Sequence, residues 1–234
     1  MGKDDMLDES WIWKTSSWLS VAEWTKDPAF ATVPVKKNGL KPLESDRSRK
    51  KYHKERRVEM EILIRRAVMQ DVDTLEDFYN QVNDYLAAHT NYPGWRRDVY
   101  PTREDAVQGV QDDCLYVATD NGKIAASMIL RQKSEPAYET TKWQLQLKDE
   151  EIYVVHTFAV APQYFGSGVS QRMLRFAEEQ GRKAHVKALR LDVYEKNVPA
   201  IRLYQKCGFR YMDTVDLGLG QYGLKWFQLY EKLL

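Results

Sequence analysis

Cysteine is scarce in this sequence, and its scarcity excludes one class of protein. Only Cys114 and Cys207 occur in 234 residues, one in a predicted strand and the other in a predicted helix. Two such residues make no disulfide framework, so we expect a reducing, cytoplasmic setting. Long apolar runs are missing too: none approaches the ~20 residues of a membrane helix, and no secretory signal pattern opens the chain. We therefore expect no membrane partner.

A strong excess of charge is also absent. The 35 Lys and Arg residues nearly balance the 34 Asp and Glu residues, which gives a formal net charge of +1. This balance provides no overall case for binding nucleic acid. The four histidines are scattered and lack metal-ligand spacing with either cysteine, so we expect no metal site. The hydrophobic content of 43% suffices for the core of one domain of ordinary size.

Residues 1–59 differ in composition from the rest of the chain. Four of the seven tryptophans fall within the first 24 positions, and a basic run follows at residues 47–57. The segment is either a basic arm for nucleic acid or acidic partners, or a linker or non-native extension, and we favour the second interpretation. Met60 directly precedes an alternating strand, residues 61–66, which predicts a domain over 60–234. Our hypothesis is that translation naturally starts at Met60.

The most informative stretch joins a strand to a helix. Residues 152–160 are apolar, β-branched or aromatic, which predicts a buried strand. A short loop carries Gly166 and Gly168, and a helix with an apolar face begins at about Gly168, with Gly181 placed to end it. A helix start leaves unpaired N–H groups and a partial positive charge, and glycines let a ligand approach the backbone. The stretch indicates a phosphate site, with a simple tight turn as the alternative.

Two motifs in this order resemble those of one superfamily. The string Gln163-x-x-Gly166-x-Gly168-Val169 resembles the acyl-CoA pyrophosphate loop of the GNAT superfamily of N-acetyltransferases. After a predicted strand at 188–194, the string Asn197-x-x-Ala200-x-x-Leu203-Tyr204-x-x-x-Gly208-Phe209 is similar to the next helix of that family. The resemblance implies an α+β fold whose central, mostly antiparallel, twisted sheet is splayed at the acyl-CoA site and flanked by helices.

The remaining patterns agree with that fold over about residues 60–234. Asp71 or Asp73 can begin a first helix, and Thr102 opens a second. Asp120-Asn121-Gly122 predicts a tight hairpin between two strands. Residues 214–222 are interpreted as a glycine-rich loop, and Leu224–Leu233 as the closing strand. The predicted order is β-α-α-β-β-β-α-β-α-β-β.

The resemblance also implies acetyl-CoA as the cofactor and assigns residues to it. Backbone N–H groups after Gln163 would hold the pyrophosphate, from Phe165, Gly166, Ser167, Gly168, Val169 and Ser170. The open strand edge at Phe158, Ala159 and Val160 would pair with the pantetheine arm. Asn197 is expected to cap its helix and to bind the pantetheine, and Tyr204 lies where relatives place a cofactor-contacting tyrosine.

Two side chains are candidates for the chemistry of acetyl transfer. Tyr204 matches the position from which a tyrosine protonates the leaving thiolate. His156 lies four residues before Val160, and its ordinary pKa suits a base at neutral pH. A histidine on an apolar strand can equally be a core residue, in which case Glu150 or Glu151 would act through a water chain. Asp192 and Glu195 are interpreted as structural.

The acceptor is the part of the function that the sequence defines least. In this superfamily the loop between the first two helices and a late β-turn shape the acceptor pocket, here giving Tyr85, Tyr92, Trp95 and Tyr222. An aromatic pocket favours a small amine with an apolar part, and we expect direct transfer of an acetyl group to it. The alternatives are a protein or peptide N-acetyltransferase, which would need an open groove, and a non-catalytic CoA-binding or interaction module. A homodimer is left open.

Overall fold

The computed structural model describes residues 60–234, and the predicted extension at residues 1–59 lies outside the described residues. The strands are β1 (Ile62–Arg66), β2 (Leu115–Asp120), β3 (Lys123–Arg131), β4 (Ile152–Val160), β5 (Ala188–Tyr194), β6 (Arg210–Asp216) and β7 (Trp226–Leu233). The α-helices are α1 (Val72–Ala88), α2 (Arg103–Gln111), α3 (Val169–Lys183) and α4 (Val198–Lys206). This order of elements is the predicted one.

The seven strands form one sheet in the order β1-β2-β3-β4-β5-β7-β6. Every neighbouring pair is antiparallel except β4 and β5, which run parallel. The parallel ladder is short, because only residues 152–154 of β4 pair with residues 188–190 of β5. The predicted mostly antiparallel sheet, splayed at its centre, is therefore confirmed.

Helices cover both faces of the sheet. On one face α1 and α2 pack on alternate side chains of the central strands, as Leu75, Phe78 and Val82 do in the cluster that includes Ala159. On the opposite face α3 and α4 pack through Met173 and other apolar residues on a cluster that includes Phe158 and Val160. This alternation follows from the period of two along a strand. It gives β4 one face toward α1 and another toward α3.

Local turns largely follow the predicted chemistry. The β2–β3 hairpin turns at Asn121 and Gly122, both with positive φ (48° and 80°), as a two-residue turn requires. Gly181 was predicted to end α3 but lies inside it. A Cβ on this residue would clash with Cδ1 of Leu234, so the position requires a small residue. The predicted loop at 214–222 begins later, since residues 214–216 pair with β7 as the end of β6. Among the described helices, none is long and apolar enough to cross a bilayer.

Candidate active site

A bulge interrupts β4 at the centre of the sheet. Ser127 pairs with Ala159 and Ile129 pairs with His156, so two residues of β4 lie opposite the single Met128. Thr157 occupies the bulge with a φ of 45°, a conformation that β-branched residues rarely adopt. Its hydroxyl lies 2.6 Å from that of Tyr100, in the loop after α1. The bulge thus re-aims the strand beside the splay, and a buried side-chain contact holds it.

The splay leaves two strand edges open toward each other. Beyond residues 154 and 190, the edge of β4 that faces β5 has no pairing strand among the described residues, and the facing edge of β5 has none either. The predicted cofactor residues Phe158, Ala159 and Val160 lie on this part of β4, with their side chains fully buried. Their backbone edge can accept an extended ligand as an added strand, as expected for a pantetheine arm.

The loop after β4 supplies a cradle for an anion. Gly166 and Gly168 have φ values of 71° and 87°, and a Cβ built on either meets no atom within 4 Å. The N–H groups of Gly166, Gly168 and Ser170 donate to no group among the described residues. Gly168 is also the N-cap of the 15-residue helix α3, where the helix dipole favours negative charge. These features fit a diphosphate.

Other predicted loop residues shape this cradle. The N–H groups of Phe165 and Ser167 are used in turns, donating to the carbonyls of Pro162 and Tyr164 at 3.1 and 3.2 Å. Val169 is buried, and its N–H lies 3.4 Å from Oγ of Ser167. Gln163 is exposed. The six predicted N–H donors are therefore not equivalent, and three of them remain available to a ligand.

Tyr204 carries a buried hydroxyl for which the described residues provide no hydrogen-bond partner. Its side chain is 0% exposed, and its hydroxyl makes no hydrogen bond within residues 60–234. An unpaired buried hydroxyl is costly, which suggests that a ligand supplies its partner. Burial and then the nearby charge of Asp192 raise the pKa of Tyr204 well above its ordinary value, so the phenol keeps its proton at neutral pH. Asn197 caps α4 as predicted, its Oδ1 accepting from the N–H of Ala200 at 3.4 Å.

His156 and Asp192 occupy equivalent positions on the two diverging strands. Each lies two residues beyond the last pair of the parallel ladder, Val154 with Arg190, and each is buried. Residues two apart on a strand share a face. His156 and Asp192 therefore lie on the face of the sheet where Ile152 and Ala188 pack in a cluster with Tyr138 and Trp143. Asp192 accepts a hydrogen bond of 2.7 Å from the hydroxyl of Tyr138.

The rival bases lie at the far end of β4. Glu151 pairs with Lys187 and accepts from the N–H of Lys148 at 3.1 Å, and Glu150 is exposed. Six residue steps along the strand lead from Glu151 to Thr157 in the bulge, which corresponds to about 20 Å. The predicted water chain from this carboxylate would have to span that distance.

The four predicted acceptor residues lie on α1 and on the loops after α1 and after β6. Trp95 is 1% exposed and packs edge-on against Tyr100, with 5.7 Å between ring centroids. Tyr222 packs on the edge of the cluster that contains Trp95, and Tyr92 is half-buried. Tyr85 instead stacks on His89 at 4.0 Å and meets Phe165 of the anion loop edge-on at 5.4 Å.

The loop between β3 and β4 contributes residues that the sequence analysis did not single out. A cavity of about 350 Å³ lies under it, lined by Ser134, Glu135, Pro136, Tyr138, Glu139, Trp143, Gln146, Leu147, Lys148, Asp149 and Arg190. Glu135 is 8% exposed, and burial followed by the charge of Asp192 raises its pKa to about 9. The sequence offered one signal of a polar site in this region, Asp192 inside the apolar string at 189–194, but the sequence analysis interpreted Asp192 as structural. No cluster of metal-ligating side chains occurs among residues 60–234.

Comparisons with known proteins agree with this geometry. The streptothricin acetyltransferase of Escherichia coli is 26% identical over 142 residues, covering 58% of this chain and 72% of that protein. A GNAT-family acetyltransferase from Streptococcus agalactiae 2603 superposes with a TM-score of 0.62 at 22% identity, over 74% of this chain and 95% of that one. A Salmonella typhimurium protein solved with its cofactor acetyl-CoA gives a TM-score of 0.55 at 15% identity, over 74% and 94%.

The family assignment rests on a match to more than half of the chain. A sequence model of the Acetyltransferase (GNAT) family matches residues 75–209, which include β4, the glycine loop and α4. The predictions of the superfamily, of an acyl-CoA-dependent N-acetyltransferase and of acetyl-CoA as its cofactor are thereby confirmed. The chain belongs to the GNAT family of acetyltransferases.

Proposed function

We propose that this protein transfers an acetyl group from acetyl-CoA directly to the primary amine of a small molecule. The observation that carries the proposal is the unpaired, fully buried hydroxyl of Tyr204, which lies near Asp192 where β4 and β5 diverge. A sulfur atom held in the splay would give that hydroxyl its missing partner. A protein that only sensed the cofactor would not need a proton donor there.

The chain offers separate groups for holding the two ends of the cofactor. Acetyl-CoA supplies an activated acetyl thioester. The N–H groups of Gly166, Gly168 and Ser170 would bind the diphosphate, aided by the dipole of α3. The backbone edge of residues 158–160 would bind the pantetheine arm, and an N–H there would polarise the acetyl carbonyl.

Two side chains would move the protons. His156, on the open part of β4, would accept the proton that the attacking ammonium group releases. Tyr204 would donate a hydrogen bond and then its proton to the sulfur as the carbon–sulfur bond breaks and the carbon–nitrogen bond forms. The raised pKa of Tyr204 keeps this proton in place until negative charge develops on sulfur. The two groups approach the splay from opposite faces of the sheet.

A small acceptor fits the loops around the site better than a polypeptide does. The loops after α1 and after β6 interlock, since a Cβ on Gly94 would lie 2.5 Å from Cδ2 of Leu224. Trp95, 1% exposed, belongs to the same apolar cluster as Leu224, and this close packing of the two loops favours a small acceptor. The relative that is 26% identical is named for acetylating streptothricin, which also supports a small-molecule acceptor.

The test is a transfer assay with a panel of acceptors. The full-length protein is mixed with acetyl-CoA and, in turn, small amines, amino acids and short peptides with free N-termini or lysines. Release of free thiol and the mass of the acetylated product are both measured. We expect the native protein to acetylate small amines and the Tyr204→Phe variant to be strongly impaired. Turnover confined to peptides would overturn the proposal.

A further inference from the structure

The cavity beneath the β3–β4 loop lies beside the splay, on the face that carries His156. Its wall includes Arg190, the last residue of β5 that pairs with β4, and Asp192 follows two residues later on the same face. Tyr138, also in the wall, donates its hydroxyl to Asp192 at 2.7 Å. The cavity therefore lies next to the open part of the sheet, with the side chains of Tyr138 and Asp192 between them.

Glu135 is the unusual group in this wall. Glu135 is 8% exposed and lines the cavity, and no side-chain hydrogen bond to its carboxylate is described within residues 60–234. A carboxyl group so enclosed is normally paired or hydrogen-bonded. The positive groups of the wall do not fill this role: Arg190 is held by Glu231 at 3.0 Å, and Lys148 extends toward exposed Glu150 at 3.9 Å.

The charges around Glu135 indicate which kind of ligand its carboxyl group would bind. The carboxyl group of Asp192 acts on both Glu135 and Tyr204, so a second negative charge at Glu135 is unfavourable without a cation. Arg131 and Lys133 stabilise the charged form of Glu135, but less than burial and Asp192 disfavour it. A cation arriving through the cavity would reverse this balance, and Glu135 would release its proton.

We propose that Glu135 binds a second ammonium group of the acceptor, so that the preferred substrates are small diamines or dibasic molecules entering through this cavity. The inference rests on the proposed function, because it places the reacting amine at the splay beside His156. The other charged group, held at Glu135 with support from Asp192, would orient the acceptor. The buried carboxyl explains why a monoamine of equal length should bind less well.

The experiment compares 1,5-diaminopentane with 5-amino-1-pentanol, which has nearly the same length but one ammonium group. With the full-length protein, KM should be lower for the diamine. Glu135→Gln should raise that KM about 10- to 100-fold, as expected for a lost charge-assisted contact, with kcat changed little. The KM for the amino alcohol should change less than about threefold. Glu139→Gln is the matched control, because Glu139 is exposed at the same cavity and should leave both KM values unchanged.

A binding measurement separates this inference from the proposed function. Calorimetric titration of the diamine in two buffers of different ionisation enthalpy should show proton release for the native protein and for Glu139→Gln, but not for Glu135→Gln. If these binding results hold while no amine is acetylated, the subsite stands and the proposed function fails. If amines are acetylated but the diamine has no advantage, or Glu135→Gln behaves like Glu139→Gln, the subsite is wrong. Thermal unfolding with acetyl-CoA verifies that both variants fold.

Discussion

Arg190 and Glu231 stand opposite each other on β5 and β7 and form a buried ion pair, with 3.0 Å between Nε and Oε1. The other oxygen of Glu231 accepts from the backbone N–H of Gln144 at 3.0 Å. The guanidinium of Arg190 lies 4.1 Å from the ring centroid of Trp143 and donates to the carbonyl of Leu145 at 3.0 Å. One ion pair thus fixes the β3–β4 loop over the cavity.

Glu231→Gln should destabilise the fold strongly. It would leave the charge of Arg190 buried without compensation, and losing one partner of such a pair costs about 3–5 kcal/mol. Urea denaturation would measure the free energy of unfolding. Replacing both residues, as in Arg190→Met with Glu231→Leu, should recover much of the loss. Asp84→Asn, which breaks the exposed pair with Arg97 at 2.7 Å, should have a far smaller effect.

Tyr204→Phe tests the proton donor. The change keeps the ring and removes only an unpaired hydroxyl, so stability should hold or rise slightly. Affinity for acetyl-CoA should stay within a few-fold, while kcat falls about 10²–10⁴-fold if general acid catalysis is lost. Tyr230→Phe offers a control, since Tyr230 is buried near Tyr204, at 6.4 Å between ring centroids, and already bonds to Gln228. Equal losses of kcat in both variants would argue against a special role for Tyr204.

His156→Gln tests the base. If His156 accepts the proton of the acceptor, the variant should lose turnover and the acidic limb in the pH profile of kcat/KM. Acceptors with different amine pKa values distinguish this limb from the ionisation of the substrate itself. A limb that moves with the acceptor and persists in His156→Gln would make this histidine a core residue.

Gly168→Glu tests the anion cradle. At 100 times its Kd, acetyl-CoA should stabilise the native protein by about 2.7 kcal/mol. The variant should lose this protection, because a side chain and a negative charge would enter the open space above Gly168. Gly218→Glu is the matched control: its φ is 78°, and its added Cβ also meets no atom within 4 Å. Both variants carry the same backbone strain, so only the cofactor response should differ in thermal unfolding.

The raised pKa of Glu135 makes a prediction about stability and pH. The folded protein keeps this proton up to about pH 9, whereas the unfolded chain releases it near the ordinary value of 4.5. The unfolded state therefore binds fewer protons between these pH values, and this group makes the free energy of unfolding fall as pH rises. The slope is at most about 1.4 kcal/mol per pH unit. Urea denaturation at pH 6 and pH 8 should show a smaller decline for Glu135→Gln than for the native protein.

The sequence predicted those parts of the site that depend on local backbone chemistry. The positive φ values of Gly166 and Gly168 and the cap at Asn197 are short-range features, and residue type and spacing reveal them. The burial of Glu135 was not predictable in this way. A glutamate between serine and proline is typical of an exposed loop, and contacts with residues distant in sequence, such as Arg190, Asp192 and Glu231, hold that loop against the sheet.

Trp95 and Gly181 show the same limit. An aromatic residue beside Pro93-Gly94 can line a pocket or fill a core. Trp95 is buried in the core, and its neighbour Gly94 contacts Leu224, which lies 130 positions later in the sequence. Gly181 has the residue type of a helix stop, but the chain end at Leu234 packs against it and makes a small residue necessary within α3. Long-range packing decided both cases.

The short parallel ladder divides the sheet into two half-sheets, one of β1, β2, β3 and β4 and the other of β5, β7 and β6, joined by three residue pairs. A ligand that pairs with the open edge of β4 would act as a temporary strand and lengthen this junction. Binding energy and folding cooperativity would then be coupled, so amides at residues 155–160 and 191–194 should exchange hydrogen more slowly with acetyl-CoA than without it. Bound acetyl-CoA would then stabilise the junction between the two half-sheets in addition to supplying the acetyl group.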